Sequence, residues 1–235
     1  MEKRKYLNAS IIVPFFNEEN TLDMVARNLI DTMPNAEIVL VNDGSIDNSP
    51  SIAKALSHEF ENIKLFSTNK NIGKGGAIKL GFEKSRSTYI GIFDADLEYS
   101  TKDLETIFEI LEDQELDVVC GSRFIGNIKR NNLYRRTFIA NKFLSFLFSI
   151  LNGTKVTDVA TCLKAFKRSV YEGINLESQG FNIEVELLAK LLKKTSNYSE
   201  VPINYSARSY SEGKKIKLKD GFKYIIAIFK YRFVD

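Results

Sequence analysis

The first half of the chain alternates short apolar, β-branched runs with segments of helical periodicity. The runs lie at residues 10–14, 37–42, 63–66, 89–94 and 117–121. Runs almost without polar residues are typical of buried parallel strands. Between the first two runs, Leu22, Val25 and Leu29 recur at helical spacing, and Asn17 is expected to cap that helix. This order predicts an α/β fold with flanking helices around a mostly parallel sheet.

The regular alternation stops after about residue 125. Two aromatic-rich helices are predicted near residues 135–152 and 218–233, with a less regular segment between them. The chain has 235 residues, of which 44% are hydrophobic and 27% charged, an ordinary balance for a globular protein. We therefore expect a single domain with a substantial core.

Several classes of site and location are excluded or disfavoured by residue content. Cys120 and Cys162 stand alone without CxxC spacing, so neither a thiolate metal cage nor a disulfide framework is expected. The single histidine, His58, lies in a charged helical stretch, which excludes Ser-His-Asp and Cys-His mechanisms. We find no secretion signal and no apolar run of about 18 residues. A cytoplasmic protein without a membrane span is expected.

The formal net charge is +3, but the charges are unevenly distributed. Residues 127–157 contain six basic and no acidic residues, and residues 208–235 contain eight basic and three acidic ones. Aromatic side chains are interleaved with these charges, so two basic surfaces should attract phosphate groups or an anionic membrane. We expect no nucleic-acid partner. The last helix carries an apolar stripe that could face a membrane, the domain itself or a second subunit of a homo-oligomer: Phe222, Ile225, Ile226, Phe229 and Phe233.

Polar clusters follow four of the predicted strands. They lie at residues 17–19, 42–45, 94–96 and 121–123. The carboxyl ends of parallel strands meet at one edge of the sheet, where open α/β sheets bind their ligands. The sequence therefore predicts a ligand crevice at this edge.

Three carboxylates alternate at the end of the fourth strand: Asp94, Asp96 and Glu98. Like charges at this spacing repel one another unless a cation joins them, and oxygen ligands favour Mg²⁺ or Mn²⁺. The alternative is a polar turn in which the aspartates cap a helix. Residues 71–77 are rich in glycine and precede a helix, which could form a phosphate cradle or allow tight packing of the helix.

Other charged residues are candidates for chemistry. Asp158 and Glu184 are the available carboxylates for a general base in the second half. Arginine presents a planar fork that matches phosphate oxygens. The candidate phosphate contacts, taken as a group, are Arg123, Arg135, Arg136, Arg208, Lys214 and Lys215.

The clusters together resemble the family 2 glycosyltransferases, in the branch of dolichyl-phosphate mannosyltransferase and bacterial polyprenyl-phosphate glycosyltransferases. The matching segments are residues 13–18, 41–47, 71–77, 94–98, 121–124 and 200–203, and Arg208 followed by residues 213–215. Two segments depart from the family pattern: Asn42 replaces a frequent aspartate, and residues 160–164 replace a Thr-Gly-Phe-Lys pattern.

The resemblance implies a GT-A fold in one domain, residues 1–235. Residues 1–125 would form the nucleotide-sugar-binding half, and residues 126–235 the acceptor-side half with its amphipathic carboxyl-terminal helix. It also implies a role for each matching residue. Nucleotide-sugar binding falls to Pro14, Phe16, Glu18, Val41, Asp43, Lys74, Asp94, Ala95, Asp96 and Arg123; metal binding to Asp96 and Glu98; catalysis to Asp94, Asp96, Asp158 and Arg208; and acceptor-phosphate binding to Arg123, Arg135, Arg136, Arg208 and Lys214.

The implied reaction is inverting transfer of a sugar from a nucleoside-diphosphate sugar to a polyprenyl phosphate or another membrane-associated acceptor. A phosphate acceptor needs no strong base, whereas a hydroxyl acceptor would need one, with Asp158 the first candidate. Peripheral attachment at the inner face of the cell membrane is expected. The alternatives are transfer to a soluble glycan hydroxyl, a sugar nucleotidyltransferase and a non-catalytic nucleotide-sugar binding protein.

Overall fold

The computed structural model describes residues 8–126, 130–131, 135–208 and 218–234, without the side chains of residues 130–131 and 218–220. The strands are β1 (Ala9–Phe15), β2 (Glu37–Asn42), β3 (Ile63–Ser67), β4 (Tyr89–Ile92), β5 (Val118–Ser122), β6 (Arg130–Asn131), β7 (Lys164–Lys167), β8 (Tyr198–Pro202) and β9 (Tyr205–Ser206). The helices are α1 (Leu22–Thr32), α2 (Ser49–Glu59), α3 (Lys74–Lys84), α4 (Thr101–Asp113), α5 (Arg135–Asn152), α6 (Arg168–Tyr171), α7 (Ile183–Lys194) and α8 (Leu218–Phe233).

Seven strands form one sheet in the order β3-β2-β1-β4-β7-β5-β8. The pairs β1–β2, β1–β4, β2–β3 and β5–β8 are parallel, as the apolar runs predict. β7 is antiparallel to both of its neighbours, β4 and β5. β7 was not predicted, because a four-residue segment with lysine at both ends lacks the apolar run that marks a buried strand. A second, parallel pair joins β6 to β9.

Helices cover both faces of the sheet and divide the core into two layers. One layer packs α1, α2 and α4 against the sheet, with Leu29, Leu56 and Phe108 among its buried side chains. The other packs α3, α5, α7 and α8 against the opposite face, with Phe82 and Phe148 fully buried. The predicted α/β architecture with flanking helices is confirmed.

The prediction that Asn17 caps the first helix is wrong. α1 begins at Leu22 and its N-cap is Thr21. Asn17 instead adopts a left-handed backbone conformation with a φ of 52°, and its side-chain oxygen accepts a hydrogen bond from the Ile46 amide at 2.9 Å. Residue 17 thus ties the loop after β1 to the loop after β2, at the carboxyl edge of the sheet.

The glycines of residues 71–77 serve close packing rather than a phosphate cradle. A Cβ atom on Gly75 would lie 2.2 Å from the Ser178 carbonyl oxygen, and Gly73 has a φ of 87°. The Gly75 amide donates to the Gln179 carbonyl at 2.7 Å. The amides of Ile72 and Gly73 donate to a carboxylate of the protein, so they are already paired.

The two predicted aromatic helices are confirmed as α5 and α8, which pack against each other. α8 buries Tyr224, Ala227 and Ile228 against the domain, whereas Phe222 is 73% exposed. Of the predicted stripe, Ile225 packs against the core, whereas the other four side chains are exposed: Phe222, Ile226, Phe229 and Phe233. No helix in the described ranges is long and apolar enough to span a bilayer.

Candidate active site

A cavity of about 370 Å³ opens at the carboxyl edge of the sheet. Its walls come from the segments that follow β1, β2, β4 and β5, from the start of α3, and from α7 and α8. This volume suits a small-molecule ligand. Eleven residues predicted for the site line it: Pro14, Phe16, Glu18, Asp43, Lys74, Asp94, Ala95, Asp96, Glu98, Arg123 and Arg208.

Other predicted site residues lie elsewhere. Val41 does not line the cavity; it is fully buried in the core layer on the α3 side, because its position in β2 points it toward Gly81. Arg135 and Arg136 are exposed at the start of α5 and do not line the cavity either. Lys214, together with Lys215, falls outside the described residues.

Asp43 is held rigidly at the end of β2. One of its oxygens accepts from the Ile72 amide at 2.7 Å, and the other accepts from the Gly73 amide at 2.9 Å. Burial raises the pKa of Asp43, although these hydrogen bonds oppose the shift. The glycine-rich loop thus fixes a carboxylate beside Pro14 and Phe16, which gives this end of the cavity one apolar wall and one polar wall.

A chain of alternating charges runs from the cavity into the core. Lys74 Nζ lies 2.7 Å from Asp94 Oδ1 and 2.9 Å from Oδ2. The same nitrogen lies 2.9 Å from Glu184 Oε1. Lys164 Nζ lies 2.8 Å from Glu184 Oε2 and also donates to the Thr161 carbonyl.

This chain of charges changes the acid–base properties of its members. Burial alone would raise the pKa of Glu184, but Lys164 and Lys74 outweigh it and hold that pKa below its ordinary value. Burial likewise opposes the charge of Lys74, whose pKa is nevertheless raised by Asp94 and Glu184. Glu184 is therefore ionised, and each of its carboxylate oxygens faces a lysine, which makes it unsuitable as a general base.

Arg123, at the end of β5, is held by a buried carboxylate. Its Nε and one terminal nitrogen each donate to Asp158 at 2.7 Å, and its backbone amide donates at 3.0 Å. Asp158 is itself fully buried and does not line the cavity. Glu200 on β8 accepts from the amides of Thr157 and Asp158, which fixes the loop that carries this carboxylate. The predicted base, Asp158, is therefore separated from the cavity by Arg123, which lines it.

Arg208 lies across the acidic cluster. Its two terminal nitrogens donate to Glu18 at 2.9 and 3.0 Å, and one of them lies 3.5 Å from Asp96. The Arg208 amide donates to Glu98 at 2.8 Å, and the Tyr205 hydroxyl donates to the other oxygen of Glu98 at 2.6 Å. Arg208 Nε is buried and has no acceptor within the described ranges. One donor of this guanidinium is therefore left for an anionic ligand.

The carboxylates around Arg208 fit a divalent cation in their chemistry. Burial, together with the charges of Asp94 and Glu98, raises the pKa of Asp96 to about 7. The cluster thus holds more negative charge than Arg208 offsets, and all of its donors are oxygens, as Mg²⁺ and Mn²⁺ prefer. Among the residues that the structure describes, no three acidic, histidine or cysteine side chains already converge in ligand geometry.

Several cavity residues were not predicted. Tyr99, Cys162, Phe181, Tyr205 and Tyr224 line the walls. Tyr205 stacks beneath Arg123, with 4.9 Å between the guanidinium and the ring centre, and follows the matching segment 200–203 closely enough to have been a candidate. Tyr224 lies on the buried face of α8, and a helical pattern does not reveal that this face closes a cavity.

Two proteins are similar in sequence to this chain over most of its length. Dolichol-phosphate mannosyltransferase from Pyrococcus furiosus is 26% identical over 228 residues, 95% of this chain and 63% of the relative. Dodecaprenyl-phosphate galacturonate synthase from Rhizobium johnstonii is 25% identical over 213 residues, 88% of this chain and 62% of the relative. The chain therefore spans less than two-thirds of the length of either protein.

A solved structure shares the fold. Glucosyl-3-phosphoglycerate synthase from Mycobacterium tuberculosis superimposes with a TM-score of 0.76 over 97% of this chain and 81% of the other, at 14% identity. At this identity the likeness concerns the fold alone, and it confirms the predicted GT-A type.

Family membership follows from a sequence match over more than half of the chain. The model of glycosyl transferase family 2 matches residues 10–174, from β1 to beyond β7. This range contains the loops after β1, β2, β4 and β5 that line the cavity. The chain belongs to glycosyl transferase family 2.

Proposed function

We propose that this protein transfers a sugar from a nucleoside-diphosphate sugar to a polyprenyl phosphate, with inversion at the anomeric carbon. The observation that carries the acceptor class is the position of Asp158. This carboxylate is buried and held by Arg123 through both oxygens, so it cannot take a proton from a hydroxyl acceptor. A phosphate oxygen is already anionic and attacks without a base.

Three acidic residues that line the cavity support the same acceptor class, because each is already paired with a cation. Glu18 is paired with Arg208, Asp94 with Lys74, and Glu184 with two lysines. A general base needs a carboxylate that is free to accept a proton from the nucleophile. Two relatives named for lipid phosphates, dolichol phosphate and dodecaprenyl phosphate, are in agreement.

The nucleotide of the donor occupies the end of the cavity beside Asp43. Pro14 and Phe16 offer an apolar wall to the base, and the Asp43 carboxylate, fixed by two amides, accepts hydrogen bonds from the nucleoside. Asp94 and Asp96 follow toward the diphosphate. The end of the cavity near Phe181 and Tyr224 is left for the sugar and the acceptor phosphate.

Asp96 and Glu98 would hold the divalent cation. When bound, Mg²⁺ or Mn²⁺ offsets the negative charge that develops on the departing diphosphate. Structures of the Mycobacterium tuberculosis protein with the same fold contain Mn²⁺ or Mg²⁺ together with UDP. Arg123 and Arg208, which both line the cavity, supply fixed positive charge, and the unpaired Nε of Arg208 is a donor for a phosphate oxygen.

An apolar surface on α5 and α8 brings the lipid acceptor to this cavity. Its side chains are between 45% and 74% exposed: Ile139, Phe143, Phe146, Ile150, Phe222, Ile226, Phe229 and Phe233. Exposed basic residues flank it, namely Arg135, Arg136, Lys142 and Arg232. Because α8 also lines the cavity through Tyr224, a membrane on this surface lies next to the acceptor end of the site. We therefore assign this apolar surface to contact with a membrane.

A panel of nucleotide sugars tests the donor class. UDP-, GDP- and CDP-sugars should be assayed with Mn²⁺ for binding by thermal shift and for transfer into a butanol-extractable product with polyprenyl phosphate present. We expect one nucleotide to stabilise the protein and to support transfer. Binding without transfer to any acceptor would favour a non-catalytic binding protein. Formation of sugar 1-phosphate together with a nucleoside triphosphate, in a parallel reaction with added pyrophosphate, would favour a nucleotidyltransferase.

Arg208→Ala is expected to lower kcat by about 10²-fold, the loss typical of one group that stabilises developing charge. Its pair with Glu18 is largely buried, so the variant leaves Glu18 without its counter-charge, and we expect the free energy of unfolding to fall by about 3 kcal/mol. Steady-state kinetics and thermal unfolding measure the two effects. Arg27→Ala, which removes an exposed arginine paired with Asp23 and Glu59 far from the cavity, is the control. Unchanged kinetics in Arg208→Ala would remove this residue from the mechanism.

The protein is expected to bind anionic vesicles and to bind neutral ones less well. Each Lys or Arg near an anionic surface contributes about 1 kcal/mol, and inserted phenylalanines add to this. Co-sedimentation with phosphatidylglycerol and phosphatidylcholine vesicles measures it. Phe143→Asp with Phe222→Asp should abolish binding, whereas Met24→Asp, an exposed apolar position on the opposite layer, should not.

Negligible binding to both kinds of vesicle would contradict the membrane assignment. If the same phenylalanine substitutions instead dissolved a dimer detected by light scattering, the apolar surface would be a contact between two copies of the chain.

A further inference from the structure

Lys164 is a buried cation with no direct access to the site. Its side chain is fully buried in β7, the antiparallel strand between β4 and β5, and it does not line the cavity. Isolated lysines are expensive to bury, so a buried lysine is paired. Its partners are Glu184 at 2.8 Å and the Thr161 carbonyl.

Lys164 is connected to the cavity by the chain of charges described above, in which Glu184 and Lys74 each have two partners. Glu184 is shared between Lys164 and Lys74, and Lys74 is shared between Glu184 and Asp94. The contact between Lys74 and Asp94 involves both carboxylate oxygens, at 2.7 and 2.9 Å. Asp94 lines the cavity and is assigned to the donor nucleotide.

The position of Lys74 in this chain of charges depends on Lys164. With Lys164 present, the charge of Glu184 is largely offset, so Lys74 remains on both oxygens of Asp94. Without Lys164, Glu184 would be a buried carboxylate, and Lys74 would be the one cation left beside it in this chain of charges. In a cavity of low polarity, Lys74 would then be drawn toward Glu184 and away from Asp94.

We infer that Lys164 is a positioning residue for donor binding, which acts through Glu184 and Lys74 on Asp94. This inference rests on the proposed function, because it takes the nucleoside diphosphate as the ligand of Asp94. In this interpretation β7 also has a functional role, because it carries Lys164, whose charge determines the position of Lys74. Glu184 then acts as the coupling group and not as a base.

The inference predicts an unusual pattern of variants. Lys164→Met should weaken binding of the nucleoside diphosphate by about ten- to hundredfold, the range for one hydrogen bond to a charged group. Glu184→Gln alone should weaken binding less than Lys164→Met does, because Lys74 keeps Asp94 as its partner. Adding Glu184→Gln to Lys164→Met should restore most of the lost affinity. A purely structural role for Lys164 does not produce this rescue.

Isothermal titration with UDP, GDP or CDP in the presence of Mn²⁺ measures these affinities, using whichever nucleotide the unaltered protein binds most tightly. Lys190→Met is the matched control. Lys190 is a second buried lysine, paired with Glu186 on α7 at 3.0 Å, and it does not line the cavity. The Lys190→Met variant should have lower thermal stability than the unaltered protein but should bind the nucleotide equally well. Lys164→Gln keeps a donor for Glu184 and carries the test if the methionine variant does not fold.

Four results separate the outcomes. If the unaltered protein binds none of the three nucleotides, the proposed function fails. If it binds one, and the folded Lys164 variants bind it equally well, the positioning role of Lys164 is overturned. A loss that Glu184→Gln does not reverse, or one that Lys190→Met reproduces, would also overturn it by pointing to general destabilisation.

Discussion

Asp96→Asn is expected to lower the rate of sugar transfer by about 10³-fold or more, because a bound cation supplies several kcal/mol of charge stabilisation on the departing diphosphate. The fold should survive the change. Asp96 is half-buried near the negative charges of Asp94 and Glu98, so an amide relieves repulsion and the Tm should stay constant or rise. Initial rates at saturating Mn²⁺ and thermal unfolding measure the two effects.

Asp113→Asn is the control for this variant, since it removes an exposed carboxylate at the end of α4, outside the cavity. It should leave both quantities unchanged. Full transfer activity in Asp96→Asn, or in the unaltered protein with excess chelator, would contradict the role assigned to Asp96.

Asp158→Asn is expected to lower the free energy of unfolding by about 3–5 kcal/mol, because it leaves the buried Arg123 without its counter-charge. For a chain of this length that corresponds to a fall in Tm of about 10 °C. Asp117→Asn breaks the ion pair with Lys167, whose members are about a quarter exposed, and should lower the free energy of unfolding by about 1 kcal/mol or less.

The same variant distinguishes a positioning carboxylate from a base. If Asp158 holds Arg123, the double variant Arg123→Met with Asp158→Leu should recover most of the lost stability but not the transfer activity. If Asp158 were a base, Asp158→Asn would abolish transfer to a hydroxyl acceptor with little change in Tm. That outcome would contradict the account given for this pair.

The strand ends of the first half could be predicted because each depends on local sequence. The run ending at Asn42 and the alternate carboxylates from Asp94 to Glu98 are contiguous, and parallel strands bring their carboxyl ends to one edge. Eleven predicted residues lie around the cavity for this reason. Val41 failed because strand residues alternate between faces, and its side chain points into the core.

The contacts that decide the chemistry could not be predicted in the same way. Arg123 and Asp158 are 35 positions apart, and Arg208 and Glu18 are 190 apart, so their pairing depends on the folded topology. β7 brings Lys164 beneath the cavity by running against the direction of its neighbours. No pattern in residues 160–167 predicts that this strand is inserted between β4 and β5. The pairing of Asp158 with Arg123 could not be predicted either, so Asp158 was a candidate base.

Transfer of the sugar to a phosphate oxygen can be detected by analysis of the lipid product. The protein should be incubated with Mn²⁺, its preferred nucleotide sugar, short-chain polyprenyl phosphate and, in a parallel reaction, polyprenol. We predict a sugar joined to the lipid through one phosphate, detected by ³¹P coupling to the anomeric carbon, with the anomeric configuration opposite to that of the donor. Transfer to polyprenol or to a glycan hydroxyl with no product on the phosphate, or a product of retained configuration, would contradict the account.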